Sequence, residues 1–367
     1  MPTSVLTADR MTSAHWAAWT ALQSSNPALD SPYFRPEFTR AVAAVRDDVE
    51  IAVLSQSGLP AGFFPFQRTH GDRGIPVGGL MSDFQGLICR GDFTWDAAEL
   101  IRACGLSRWE FDHLLACQKP LAPYHWFGAA SQYIDLSRGF AAYEAQRRSA
   151  HCEALSTTRR KARKLQREMG PLRLEPQVSS RRVFDQLIAW KSRQYQRTGR
   201  PNVLAMGWTV ELLERIWSQQ EAAFSGMLSA LYCGDRLVAA QFGMRSRGVL
   251  HAWFPAYDVE LAGYSPGLIF WLEMIQAAPA LGITRIDLGK GTTQFKTSFA
   301  SAAVPLAEGA VDFRVLARSI RHAWWSMRYW VRTTPLYPPA RLAARIARSV
   351  AARVMHPAMT DPCKAIQ

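Results

Sequence analysis

An α/β fold built from two similar halves is what this 367-residue sequence predicts, on three observations. The first is a strand, a helix start and a strand in series. Residues 249–256 (VLHAWFPA) are apolar and rich in strand-favouring types, Ser265-Pro266-Gly267 opens a helix, and Asp287-Leu288-Gly289-Lys290-Gly291 ends a second strand. The second is a hairpin pattern that occurs twice, over 49–67 and over 227–245, each a strand, a glycine-containing turn and a strand. The third is a closer match: Gly105-Leu106-Ser107-Arg108-Trp109-Glu110-Phe111 aligns by type with Gly282-Ile283-Thr284-Arg285-Ile286-Asp287-Leu288. In both places a helical segment leads into the glycine and a strand-like run leaves it, so two copies of one unit are the economical explanation.

In chain order, the first hairpin precedes the helix that ends at Gly105, and a basic segment over 147–173 follows, centred on Thr157-Thr158-Arg159-Arg160-Lys161-Ala162-Arg163-Lys164. That segment reads as a charged helix or helix-loop element. Residues 183–199 form a strongly amphipathic helix with Val183, Phe184, Leu187, Ile188 and Trp190 on its buried face, and 208–223 form another. The second hairpin turns at Gly234-Asp235. After the 249–256 strand, Ser265 is placed as an N-cap and Pro266 at the first helical position. The helix then runs over 268–278 with Pro279 marking its end.

With 48% hydrophobic residues the chain can bury a substantial core, and it is long enough for two domains. No apolar run approaches the ~20 residues that span a bilayer, and the N-terminus lacks the apolar stretch of a secretory signal. The six cysteines, Cys89, Cys104, Cys117, Cys152, Cys233 and Cys363, show no CxxC spacing. Reduced thiols in the cytoplasm and no metal site are the expectation.

A net charge of +13 favours anionic partners, and the charge is concentrated. Besides the 147–173 segment, residues 314–353 contain no Asp or Glu and interleave arginines with Trp324, Trp325, Tyr329 and Trp330. Three readings stand for these segments: a solvated or self-packing helical face; contact of 314–354 with an anionic membrane, since Trp beside Arg is the composition of an interfacial helix; and nucleic acid. No helix-turn-helix, RNP or zinc-finger pattern accompanies the charge, so DNA is not expected and tRNA ranks below the membrane.

Several short runs together carry a family resemblance: Ser31-Pro32-Tyr33-Phe34-Arg35-Pro36-Glu37-Phe38, Ala61-Gly62-Phe63-Phe64-Pro65-Phe66, Trp190-Lys191 through Tyr195, Ala256-Tyr257-Asp258, Tyr264-Ser265-Pro266-Gly267, and Asp287-Leu288-Gly289-Lys290-Gly291 followed by Phe295-Lys296. In their order and spacing the chain resembles acyltransferases of the Gcn5-related N-acetyltransferase (GNAT) superfamily. The branch it resembles is the FemAB-like one described as BioF2-like or CelD-like proteins of bacterial polysaccharide biosynthesis.

The resemblance implies two tandem GNAT-like domains with mixed central sheets flanked by helices: an N-terminal domain over 1–145, a basic linker or helical segment over 146–182, a catalytic domain over 183–313 holding the more complete cofactor groove, and a basic Arg/Trp-rich helical tail over 314–367. Acetyl-CoA is the implied donor, although Leu261-Ala262-Gly263-Tyr264-Ser265-Pro266-Gly267 has only part of the glycine content of the family's pyrophosphate loop. FemAB relatives use aminoacyl-tRNA instead. The implied acceptor is a sugar, a sugar nucleotide or a lipid-linked glycan, in the cytoplasm or at the inner membrane. A non-catalytic scaffold is the alternative from another class.

Gly263, Ser265, Gly267 and Leu268 are the expected donor-binding residues, because free N–H groups and the helix dipole favour a diphosphate there. Acyl transfer needs a base and a proton donor. His251 and Asp258 are candidates for the base, each with an equally plain structural reading as a bonded strand histidine and a turn aspartate. Tyr264 and Tyr257 are candidates to protonate the leaving thiolate. Lys296 is expected, by the resemblance, at the substrate site, and Lys191, Tyr195, Tyr257 and Lys290 are expected to meet the acceptor, with Arg193 and Arg197 near its phosphates.

Overall fold

The computed structural model describes residues 2–314 together with Met327, so the basic tail, and with it the expected membrane contact, lies outside the described residues apart from Arg314 and Met327. The first half contains β1 (Thr3–Thr7), α1 (Ser13–Ser25), α2 (Pro36–Ala43), β2 (Val49–Gln56), β3 (Leu59–Thr69), β4 (Arg73–Pro76), β5 (Ile88–Cys89), α3 (Ala97–Ala103), β6 (Arg108–Leu115) and β7 (His125–Asp135). The second contains α4 (Gly139–Ser149), α5 (Ala154–Met169), β8 (Leu172–Glu175), α6 (Arg181–Thr198), α7 (Gly207–Trp217), β9 (Gln220–Glu221), β10 (Phe224–Cys233), β11 (Arg236–Ser246), β12 (Val249–Tyr257), α8 (Pro266–Ala277), β13 (Arg285–Lys290), α9 (Gln294–Phe299) and β14 (Ala302–Asp312).

The repeated pattern in the sequence is a repeated structure. The two hairpins are β2/β3 and β10/β11, paired antiparallel. The two aligned glycines, Gly105 and Gly282, close helical turns at φ +66 and +72, a left-handed conformation that costs a side-chain-bearing residue about 1 kcal/mol or more. Each then releases the chain into a strand, β6 or β13.

The described strands join in one mixed sheet with the path β1-β2-β3-β4-β6-β14-β7-β13-β12-β11-β10-β8. β14, last in sequence, inserts between β6 and β7, while β7 of the first half pairs with β13. The two halves therefore exchange strands across any boundary drawn in sequence. Neighbouring strand residues alternate between two cores: Leu228 and Ala240 pack in one, Met227 and Ala239 in the other, as side chains on opposite faces of a sheet must. The first core joins α1, α2, α6 and α7 residues from both halves, including Trp19, Phe38, Phe184 and Leu212. The second lies under α5 and α8, with Leu165, Ile269 and Ile275.

One irregularity places side chains where alternation would not. Phe242 on β11 pairs with Phe254, but Gly243 pairs with Ala252, so Trp253 is an extra residue in β12. A bulge of this kind reverses the alternation beyond it. Leu250 and Ala252 pack in the α8-side core, Trp253 and Phe254 both pack in the other, and Tyr257 returns to the α8 side. His251 and Tyr257, six residues apart and of equal parity, consequently lie on opposite faces of the sheet.

Candidate active site

β12 and β13 run parallel for three residue pairs only, Val249 with Arg285, Leu250 with Ile286 and His251 with Asp287. β13 then bends at Gly289 and continues its pairing with β7 alone. Past His251 the two strands diverge, and the gap holds a cavity of about 320 Å³ lined by Pro255, Tyr257, Gly267, Leu268, Trp271 and Phe295, with Gln194 of α6 at its other side. Its walls come from helices on both faces, so the cleft passes through the sheet.

α8 opens onto this cavity. Pro266 occupies the first helical position as expected, but Ser265 is left-handed (φ 58, ψ 54) and caps nothing with its side chain. In that conformation its hydroxyl turns away from the first-turn amides and accepts from Lys161 Nζ of α5 at 2.7 Å. Leu268 lines the cavity with its side chain, yet its amide is not free: it donates to the Ser265 carbonyl at 2.9 Å. Gly267 is a close approach, because a Cβ there would lie 3.3 Å from the Tyr257 ring and the ring would have to give way slightly. At Gly263 a Cβ would meet open space, so no neighbour within the protein requires that glycine.

On the opposite face, one side chain from the first half completes the site. Asp83, in the loop between β4 and β5, accepts a 2.9 Å hydrogen bond at Oδ2 from Nε2 of the fully buried His251, and His113 Nε2 stands 3.6 Å from its other oxygen. Burial alone would raise the Asp83 carboxyl; the hydrogen bond and charge of His251, with His113 and Lys296, outweigh it and hold the group well below the usual carboxylate range. Gly289, at φ +77, makes room for the assembly, since a Cβ there would sit 3.1 Å from Asp83 Oδ2 and 3.4 Å from Lys296 Nζ. Lys296 also donates to the Lys290 carbonyl at 2.9 Å. Burial pushes its ammonium down, Asp83 opposes this, and Arg200 adds to it.

Lys191 of α6 donates to the Pro255 carbonyl at 3.2 Å and lies 5.5 Å from the centre of the Tyr195 ring. Burial, then the charges of Arg200 and Lys296, push it down to about 8. Burial raises the Tyr195 hydroxyl. Lys191, Arg200 and Lys296, with Tyr195, Asp83 and His251, thus form a cluster with more cationic than anionic groups, across the sheet from Gly267.

Other expected site residues lie elsewhere. Asp258 is bound to Arg236 at 2.6 Å and caps the Glu260 amide. It is also seven residues beyond His251, a span of about 23 Å in an extended strand, so it is a turn residue rather than a partner of that cleft. Tyr264 donates to Glu168 of α5 at 2.5 Å and does not line the cavity, which removes it from the leaving thiolate's side. Lys290 is engaged by the Asp112 carbonyl at 2.7 Å and Glu308 at 2.9 Å, tying β13 to β6 and β14 across the intervening β7. Arg193 borders a separate groove near Arg236 and Asp258. Sequence reasoning missed Asp83 and Arg200. For Asp83 the one local signal is a carboxylate in a glycine-rich loop, Gly78-Gly79-Leu80-Met81-Ser82-Asp83.

In the first half the corresponding opening is filled. β4 and β6 are parallel at Arg73/Arg108 and Gly74/Trp109 and then part, but Gln85 fills the opening. Its amide donates to the His113 carbonyl, its carbonyl accepts from Leu115, and its side chain accepts from the Asp112 and His113 amides. The loop that plugs the first half is the one that delivers Asp83 to the second.

Comparison with known proteins agrees with this geometry. Residues 153–297 match the sequence family described as the acetyltransferase (GNAT) domain. Among solved structures the chain is similar to FemX (TM-score 0.53, 8% identity, covering 84% of this chain and 96% of that one). It is also similar to the C-terminal DUF2156 domain of a candidate lysylphosphatidylglycerol synthetase from Agrobacterium fabrum (0.52, 14%, 84% and 96%), and to L-PGS from Bacillus licheniformis (0.51, 12%, 85% and 96%). No curated protein matches it in sequence. The match over 153–297 is to an acetyltransferase domain. That stretch sits in a chain whose fold is similar to that of FemX. Among the described residues no cluster could hold a metal ion, and no helix is long and apolar enough to cross a membrane.

Proposed function

We propose that the protein transfers an acetyl or related acyl group from acyl-CoA to an amine or hydroxyl of a sugar or polysaccharide precursor. The observation that carries this reading is the parting of β12 and β13 at His251/Asp287, beside an apolar cavity onto which α8 opens at Gly267. An extended thioester arm fits such a cleft. Its diphosphate lies against the opening of α8, where the helix dipole and Lys161 favour negative charge. The acyl carbon then reaches the point where the strands part. The acceptor enters from the other face, into the cleft of Asp83, His251, Lys191, Tyr195 and Lys296, and a cationic cleft suits an acceptor carrying phosphate, as a sugar nucleotide or a lipid-linked glycan does.

Thermal unfolding with acetyl-CoA, desulfo-CoA and bulk tRNA tests the donor. A saturable rise in melting temperature with both CoA compounds supports the reading. One observation favours a second donor: basic α5 packs against the opening of α8 through Lys161–Ser265 and Lys164–Tyr264. Stabilisation by tRNA alone, weakening steeply with salt, would replace acyl-CoA with aminoacyl-tRNA. No shift with any of these ligands would favour a scaffold.

A further inference from the structure

The proposed reaction needs a group that removes a proton from the acceptor; the two residues first expected to do so, His251 and Asp258, are badly placed for it, as are the nearby Asp83 and Tyr264. His251 is wholly buried with Nε2 held by Asp83. Asp83 belongs to the same cluster, but a carboxyl stabilised as the anion by His251, His113 and Lys296 has little affinity for a proton. Asp258 and Tyr264 are bound to Arg236 and Glu168, away from the cavity.

We propose that Lys191, as the neutral amine, is the general base of acyl transfer. Its Nζ donates at 3.2 Å to the carbonyl of Pro255, a residue that lines the through-sheet cavity. A neutral amine that donates one N–H to that carbonyl keeps its lone pair for the cleft. The charged and titratable groups that face it are Arg200 from the loop after α6, Lys296 from α9 and Tyr195 one turn along α6. None is a carboxylate. The carboxylate of the cleft, Asp83, acts on Lys296 and Tyr195 instead. Two like charges and burial without a counter-ion favour the unprotonated form of a lysine, and this one is pushed down to about 8.

In the step itself, an N–H or O–H proton of the acceptor passes to Lys191 Nζ while the acceptor's lone pair forms the bond to the acyl carbon of the thioester. The C–S bond breaks, sulfur leaves as thiolate, and the ammonium on Lys191 returns its proton to that sulfur. Free thiol and acylated acceptor result, with Lys191 again neutral.

This inference rests on the acyltransferase reading of the same cleft, and the tests separate the two. The first is kcat against pH with acetyl-CoA and glucosamine 1-phosphate as probe acceptor. The wild type is expected to gain rate with a midpoint near 8. Lys191→Arg and Lys191→Met are both expected to lose about 10²-fold or more in kcat, because an arginine keeps the positive charge but cannot accept a proton. Partial rescue of Lys191→Ala by added ethylamine is also expected. If Lys191 only bound an anionic part of the acceptor, Lys191→Arg would retain kcat and Lys191→Met would raise KM; either result overturns the base role and leaves the acyltransferase intact. The second test needs no turnover: the Lys191 amine, reductively methylated with ¹³C, is titrated by NMR in the full chain. A midpoint near that of free lysine, about 10.4, would overturn the proposal even in an active enzyme. A depressed midpoint with no acyl transfer would instead count against the reaction assigned to the cleft.

Discussion

His251 Nε2 and Asp83 Oδ2 meet at 2.9 Å across a sequence separation of 168 residues, and this bond joins the half of the molecule whose cleft is plugged to the half whose cleft is open. The histidine's ring is held edge-on by Tyr33 and flanked by Phe84, so it has little freedom to choose another partner. Asp83 in turn stands beside Lys296. The arrangement gives the first half a use that does not depend on binding a donor.

Replacing Asp83 with Asn is expected to lower turnover and to remove about 1–3 kcal/mol of stability, since a buried charge-assisted hydrogen bond is lost. The sign of the pH dependence follows from the direction of the shift. A carboxyl held below its unfolded value near ~3.9 contributes stability above that pH and loses it as pH falls. Denaturant midpoints of wild type and Asp83→Asn should therefore differ at pH 7 and converge below about pH 4. A difference that is constant with pH would show that the Asp83 charge is not what is being measured.

Gly289 is the residue on which both Asp83 and Lys296 depend for space. Alanine there is expected to cost about 1–3 kcal/mol, from the left-handed backbone and from a Cβ 3.1 Å from Asp83 Oδ2. Activity should fall further than stability alone explains. Gly291→Ala provides the control, because it shares the positive φ (+121) but a Cβ there meets nothing within 4 Å. Equal losses of activity in the two variants would mean that backbone strain, and not the crowding of Asp83 and Lys296, is responsible.

The local part of this architecture is legible in the sequence and the long-range part is not. Hairpin turns, the glycines that close helices, and the Pro266 helix start depend on neighbouring residues, and the duplicated hairpins and the 249–291 strand-helix-strand unit were readable for that reason. Ser265 is left-handed and its hydroxyl is engaged by Lys161 of α5, so it caps nothing, and neither feature is encoded in its neighbours. Period-two reasoning puts His251 and Tyr257 on one face of β12, and the extra residue Trp253 separates them. Asp83 reaches His251 only because strand exchange brings the halves into one sheet, which no local pattern encodes. Tyr264 and Asp258 have the right chemistry in the right segment, and their partners Glu168 and Arg236 come from other elements.

Gly267 can be tested without knowing the acceptor. Alanine is the better helix former by about 1 kcal/mol, but its Cβ would press on the Tyr257 ring at 3.3 Å. Gly267→Ala is thus expected to fold with a stability within about 1 kcal/mol of the wild type, and to bind CoA a few-fold more weakly. Gly267→Glu adds bulk and a negative charge at the helix opening, and should abolish CoA binding in calorimetry while leaving far-UV circular dichroism unchanged. Undiminished affinity in folded Gly267→Glu would take the donor diphosphate away from α8.

Lys191 has a stability signature that is separate from its proposed part in catalysis. An amine whose folded value is about 8, against about 10.4 in the unfolded chain, binds its proton less tightly when folded. Below pH 8 it is protonated in both states and the fold bears the full cost of a buried cation. Between about pH 8 and pH 10.4 the unfolded chain still holds the proton that the folded chain has released, so this contribution to stability rises with pH. Lys191→Met, which keeps the apolar stem and removes the ionisation, should unfold at higher denaturant than the wild type at pH 7. That advantage should shrink through the same pH window. If methionine is instead destabilising at pH 7, then the bond to the Pro255 carbonyl contributes more than burial of the charge costs, and the amine is protonated and well satisfied in the resting cleft.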